Sequence, residues 1–270
     1  MRSVFLIAVT SILILAVTAP AIAEPAKPES YLEPERSQYG GDLFMSGYDD
    51  LVLSVLKEAF AQDVAVRMVA VPSFVPEFAV GLKGTPGNYR VFSLRPKVQL
   101  WGYETLRMMK DGSLRTVVGD AQKQLSDLQS TLPADPRAVP VISCQTSINT
   151  QLGGRIATVW EKMLRKTRFP PPSAMMGVDG ADYHFSMRSN LQYLAGRTWS
   201  PDQNSATGLL VGIGMAMNDY CAKKGGGSSM HLEQQLAQLE KRLSLTQTER
   251  PSPTLFDKMR NWYRGWRQAH

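Results

Sequence analysis

The sequence predicts an α+β domain: an antiparallel sheet built on a central meander, helices packed mainly on one face, and a C-terminal helical extension. Three observations lead there. Val64 to Trp101 alternates apolar and polar residues, is rich in Val and Phe, and is broken by a Gly/Pro/Asn turn at 84–88, the pattern of hairpin-linked strands. Three segments, 48–61, 148–167 and 206–222, carry apolar residues at helical spacing. Strands and helices do not alternate regularly along the chain, which argues against a doubly wound parallel sheet.

The chain begins Met1-Arg2-Ser3, continues with an apolar run from Val4 to Val17, and reaches a small-x-small site at Ala21-Ile22-Ala23. This is the pattern of a secretory signal peptide, residues 1–23, cleaved near Ala23. The run falls short of the roughly 20 apolar residues of a membrane span. Residues 24–42, with Pro, Glu and Ser and little apolar pattern, read as a disordered leader. A globular domain is expected over 43–224.

Within it, Val52, Val55, Leu56 and Ala59 mark the first helix, 48–61, with Asp49 and Asp50 in the first turn where acids suit the helix dipole. Strands are expected at 65–71, 76–83, 89–95 and 97–102. With 84–88 as the loop, Lys83 faces Tyr89, and Phe78, Val80 and Leu82 face Leu94, Phe92 and Arg90. Glu77 then lies opposite Arg95. Residues 103–118 fit either a helical turn or a hairpin about Asp111-Gly112, and 120–129 a short polar helix.

A strand at 138–144 opens the second half. The helix after it buries Ile156, Val159, Trp160, Met163 and Leu164, and Pro170–Pro172 stop it. Strands at 182–188 and 191–198 follow, then a helix over 206–222 that is apolar nearly all round. Gly225–Ser229 (GGGSS) reads as a linker, so residues 225–270 are expected to form a separate helical tail. Leu232, Leu236, Leu239 and Leu243 repeat at 4-3-4 spacing there. After Pro251 and Pro253, a last helical pattern sets Phe256, Trp262, Tyr263 and Trp266 on one face against Arg260, Arg264 and Arg267. Aromatics on one side and cations on the other make an interfacial helix for an anionic membrane surface or an envelope protein partner. Self-docking on the domain is the competing reading.

A net charge of +6 over 270 residues suits loose attraction to anionic surfaces and falls short of a nucleic-acid footprint. The two cysteines, Cys144 and Cys221, predict a structural disulfide in an oxidising compartment. No GxSxG, HExxH, Walker loop or paired CxxC occurs, and three histidines give no basis for a metal site. No nucleotide, cofactor or metal is expected.

Three residues remain as weak catalytic candidates. His184, with Asp179, Asp182 and Ser186 nearby, could act as a general base. The alternation of Asp182, His184 and Ser186 against Tyr183, Phe185 and Met187 points instead to one face of a strand. Glu77, in PSFVPEF, is either a desolvated acid or the cross-strand partner of Arg95. Glu104, beside Trp101 and Tyr103, has the composition of a glycan-binding platform or of a core edge.

The order PEFAVGLK, YRVFSLRP and QLW, then VISC leading into TVWEKMLRKTR, then GVDGADYHFS and AGRTWSP, then a helix ending YC, resembles an uncharacterised family of exported proteins of Gram-negative bacteria. The likeness covers residues 45–222. It implies export and carries over no activity and no functional residue.

The function expected from the sequence is therefore a non-catalytic exported envelope protein, periplasmic or secreted, acting as a binding or adaptor module through its C-terminal helix. One alternative is a hydrolase of an envelope polymer using Glu77, Glu104 or His184 as acid/base. Another is an inhibitor or immunity-type protein presenting the loop Gly84–Asn88.

Overall fold

A computed structural model describes residues 31–35, 46–111, 121–169, 180–189, 192–224 and 229–248. The expected signal peptide, the linker residues 225–228 and the C-terminal contact residues Phe256 to Arg267 lie outside these. The strands are β1 (Glu33–Pro34), β2 (Val64–Pro72), β3 (Phe78–Lys83), β4 (Arg90–Pro96), β5 (Val141–Ser147), β6 (Ala181–Ser189) and β7 (Gln192–Trp199). They form one antiparallel sheet in the order β1-β7-β6-β2-β3-β4-β5. The helices are α1 (Ser46–Val55), α2 (Trp101–Lys110), α3 (Ala121–Thr131), α4 (Thr150–Leu164), α5 (Ala206–Ala222) and α6 (Ser229–Thr248). The α+β class read from the sequence is the class observed.

Period-2 alternation divides the sheet into two apolar faces. Val66, Met68, Phe78, Val80, Leu82 and Phe185 point to one face, where α4 and α5 cover them and α6 packs on α4 and α5. Trp160 of α4 meets Phe185 edge-on, with ring centroids 5.4 Å apart. Val69, Ala79, Phe92 and Leu94 point to the other face and pack against Tyr48, Val52 and Leu56 of the first helical segment. The first helix thus lies across the sheet from α4, α5 and α6, because the strands are apolar on both faces. It is also shorter than 48–61: α1 stops at Val55 and a 3₁₀ turn, Lys57–Phe60, follows.

Capping fixes where the helices start. The Asn149 side chain accepts from Gln151 N and Leu152 N at the head of α4, and Ser205 Oγ accepts from Gly208 N at the head of α5. Each cap is worth about 1 kcal/mol.

The central hairpin has the expected strands in a register shifted by one. Lys83 faces Arg90, Val80 faces Ser93 and Ala79 faces Leu94. Tyr89 belongs to the turn, not the strand: its side chain is buried and packs against α4, where a Cβ on Gly153 would meet its ring at 2.9 Å. The shift sets Phe92 opposite Gly81, which has no side chain to collide with the Phe92 ring. Gly84 and Gly87 take positive φ in the turn, as glycine does without a Cβ penalty. The expected strand at 97–102 does not form. Pro96 ends β4, Lys97 N donates to Pro140 O, and the chain enters α2, which settles 103–110 as helix.

Two expected boundaries also move. Residues 31–35 are ordered: Tyr31 and Leu32 are buried, and Glu33–Pro34 pairs with the edge of β7. At the other end, the Leu232/236/239/243 stripe of α6 is fully buried in the same core as α4 and α5. Arg155 of α4 forks onto Glu240 of α6 at 2.9 and 2.7 Å. Residues 229–248 therefore belong to the domain and not to a separate tail, since four buried leucines are too much apolar surface to leave in water.

Cys144 on β5 and Cys221 on α5 stand at disulfide distance, with Cα atoms 5.9 Å apart. They join the outer strand of the sheet to the helix that packs across it. No helix among the described residues is long and apolar enough to cross a membrane.

Candidate functional site

The acid/base candidates separate into three unrelated environments. Glu77 is fully buried just before β3. Its Oε2 accepts from Leu100 N at 2.8 Å, and its Oε1 accepts from Trp101 N at 3.0 Å and from the Tyr48 hydroxyl. The carboxylate sits on the first backbone N–H groups of α2, where a negative charge is stabilised by orphan donors and the helix dipole. Tyr48 in turn meets Trp101 edge-on at 4.9 Å. Glu77 thus ties α1, β3 and α2 together. Arg95, its expected partner, lies over the Phe78 ring at 5.6 Å instead.

Glu104 is one turn further along α2 and is buried. Both its oxygens are occupied by Arg107, Nε to Oε2 at 2.9 Å and Nη2 to Oε1. The Glu104 oxygens therefore serve an intrahelical ion pair at spacing i,i+3, while the neighbouring Tyr103 hydroxyl donates to Pro133 O.

His184 lies at the centre of a denser cluster on the face that α1 partly covers. The pairing of β6 with β2 and β7 sets it beside Val69 and Arg197. Because a carboxylate can only accept, the ring Nδ1–H donates to Glu35 Oε2 at 2.8 Å. Nε2 faces Asp182 Oδ2 at 3.7 Å, and that oxygen is 3.4 Å from Arg197 Nη2. Burial works against the charged ring, yet the Glu35 hydrogen bond and the nearby Asp182 and Glu35 charges prevail and hold its pKa above the usual histidine value. Asp49 of α1 belongs to the same electrostatic neighbourhood. Burial pushes its carboxyl up to about 7, His184 opposes the rise, and Glu35, Asp50 and Asp182 add to it.

A carboxyl near neutrality, Asp49, in the electrostatic neighbourhood of a histidine can hold and move a proton. Space limits what they can act on. The hollow lined by Glu35, Arg67, His184, Ser186 and Tyr193 has a volume of about 10 Å³, enough for one water and not for a substrate. Glu35 Oε1, Asp182 Oδ1 and Arg197 Nε are buried without a hydrogen-bond partner among the described residues. The Glu35–His184 hydrogen bond joins the end of the short β1 segment to β6, whose pairing with β7 sets Arg197 beside it.

A larger opening, about 440 Å³, lies between the end of α1 and β5 and is lined by Lys57, Glu58, Arg137, Val139 and Ser143 among others. It shares no residue with the three candidates. The inhibitor-type loop, 84–88, is exposed over Thr85–Asn88 but tied at both ends, by Gly84 N to Asp63 O and by Thr150 Oγ1 to Gly87 O. Among the described residues no group of three or more His, Cys, Asp or Glu side chains could hold a metal ion.

Sequence reasoning missed Glu35, Asp49 and Arg197 as members of the cluster. Arg197 was within reach, since the 182–188 and 191–198 hairpin sets it opposite His184. Glu35 was hidden in a Pro/Glu-rich stretch whose only structural clue is the Tyr31-Leu32 pair. Asp179 lies outside the described residues.

Comparison with protein-family models, with curated proteins and with solved structures finds no match.

Proposed function

We propose that the protein is exported and works in the cell envelope as a non-catalytic binding or adaptor module, with the basic-aromatic segment around Trp262 and Trp266 contacting an anionic membrane surface or a protein partner. The observation that carries this reading is the engagement of Glu77, Glu104 and His184 by three separate structural sets of partners. Glu77 caps α2, Glu104 neutralises Arg107, and His184 anchors β1 through Glu35. A hydrolase would bring such groups around one opening large enough for its substrate.

Export is supported by the leader pattern of residues 1–23 and by the Cys144–Cys221 pair, whose bond would persist in an oxidising compartment. The test is co-sedimentation of the full chain with neutral and anionic vesicles, comparing it with W262S/W266S. Weaker binding of the variant to anionic vesicles supports the reading, and equal binding removes the C-terminal segment as the contact.

A second reading, a hydrolase of an envelope polymer, draws on the near-neutral Asp49 beside His184. It requires turnover that is lost in both D49N and H184Q while their folds persist.

A further inference from the structure

Exposed large apolar side chains gather at one end of the sheet. Phe74 and Val75, 77% and 55% exposed, form the loop between β2 and β3; Phe169, 74% exposed, follows α4; Trp199, 40% exposed, ends β7. Strand pairing shows that these positions share an end. Pro72 pairs with Ala181 and Asp182 with Trp199. Ser73 N and Oγ both donate to Gly180 O, which places the Phe74 loop beside the start of β6. Arg168 N donates to Leu32 O, and Leu32 adjoins Glu33, the partner of Arg197 on β7. Phe169 therefore stands beside the end of β7. Ile142, 55% exposed, lies near the start of β5, where Val141 faces Pro96.

Among the described residues the charges at this end are mostly positive. Arg95 and Lys97 are exposed at the end of β4, and Arg168 is exposed beside Phe169. Lys162, Lys166 and Arg168 crowd together: the Lys166 pKa is lowered by burial and by the other two cations. The acids here are largely committed. Glu77 is buried under α2, Asp182 faces Arg197 and His184, and Glu161 holds Arg165 at 2.6 Å. Asp202 is exposed, with Oδ1 accepting from Asn204 N. Asp135 is exposed near the start of β5 and accepts from Arg137 N.

We propose that this end of the sheet is a membrane-contact surface: Phe74 and Phe169 enter the headgroup layer of an anionic bilayer while the exposed Lys97 and Arg168 lie against its negative charge. Aromatic tips on separate loops, flanked by cations, suit a soft and negatively charged layer. A protein partner would instead be anchored by aromatics seated in desolvated pockets. The contact belongs to the folded domain and is additional to the one proposed for the C-terminal segment.

The test uses the full chain in four forms: native, F74S/F169S, W262S/W266S, and all four substitutions together. Each is titrated with phosphatidylcholine vesicles and with vesicles containing phosphatidylglycerol. Because Phe74 and Phe169 are exposed, F74S/F169S should keep the native unfolding midpoint. The expected result is a loss of anionic-vesicle affinity of about tenfold in F74S/F169S, in the native or the W262S/W266S background. Unchanged affinity in both backgrounds overturns the inference and leaves the C-terminal reading standing. A drop caused only by W262S/W266S does the same. Absence of vesicle binding by the native chain overturns both and leaves a protein partner. K97E supplies an independent arm, since it should weaken binding to anionic vesicles only.

Discussion

Removing the Glu77 carboxylate tests whether this residue is a structural keystone or a reactive acid. The native group receives three donors, Leu100 N, Trp101 N and the Tyr48 hydroxyl, in a fully buried position. Glu77→Ala leaves all three without an acceptor. At about 1–3 kcal/mol for each orphaned buried donor, with some relaxation, the expected loss is about 3–6 kcal/mol. Glu77→Gln keeps one oxygen, which can serve Trp101 N and Tyr48, but turns an NH₂ toward Leu100 N. One donor–donor conflict and the lost charge give about 1–3 kcal/mol. Tyr48→Phe should cost less, because the carboxylate retains both backbone donors. The assay is equilibrium urea unfolding, read as the midpoint at constant slope. The order Ala, then Gln, then the Tyr48 variant is required. If E77A unfolds within about 0.5 kcal/mol of the native chain, the capping account of α2 is wrong.

Other expectations follow from the same geometry. Replacing both cysteines by serine opens a link between residues 77 apart in sequence, and chain entropy predicts a loss of about 4.5 kcal/mol. Leu236→Ala in α6, at a fully buried position, should cost about 2–5 kcal/mol; a null effect on the unfolding midpoint would return α6 to the status of an independent tail. D49N should flatten the fall of stability with rising pH. The Asp49 carboxyl rises from 3.8 unfolded to about 7 folded, so its ionisation is penalised in the folded state, progressively from pH 3.8 to 7 and fully above. D49N is therefore expected to gain on the native chain at pH 8 and not at pH 3.5. His184 acts in the same direction at higher pH. Its folded pKa is raised, so its stabilising contribution is complete below about pH 6.5 and lost as pH rises through the folded value. H184Q should cost more at pH 5.5 than at pH 9, and a cost that grows with pH would contradict the Glu35 pairing.

The meander was legible because alternation and the 84–88 turn are local signals. Its register was not, because it depends on whether Tyr89 ends the turn or starts the strand. That choice is made by packing against Gly153, 64 positions away. The helix α2 was similarly obscured: the carboxylate that caps it comes from Glu77 across a strand pair. Tyr31-Leu32 could not be seen as core in a Pro/Glu-rich stretch, since only the edge of β7 gives it a place to bury. The leucine stripe of α6 was visible. Its docking surface was not, because α4 and α5 supply it together, and a Gly-rich run between helices suits a helical hairpin as well as a domain linker. At the candidate site, His184 and Asp182 were legible from strand periodicity, while Glu35 and Asp49 arrive from elements more than a hundred residues earlier.

Backbone hydrogen exchange of the full chain, with and without anionic vesicles, tests the central claim most directly. The account predicts vesicle-dependent protection at residues 73–76, 166–169 and 254–267, with β6 around His184 unchanged. Protection centred on His184 and the first turn of α1, or no change at the aromatic loops and the C-terminal segment, would contradict it.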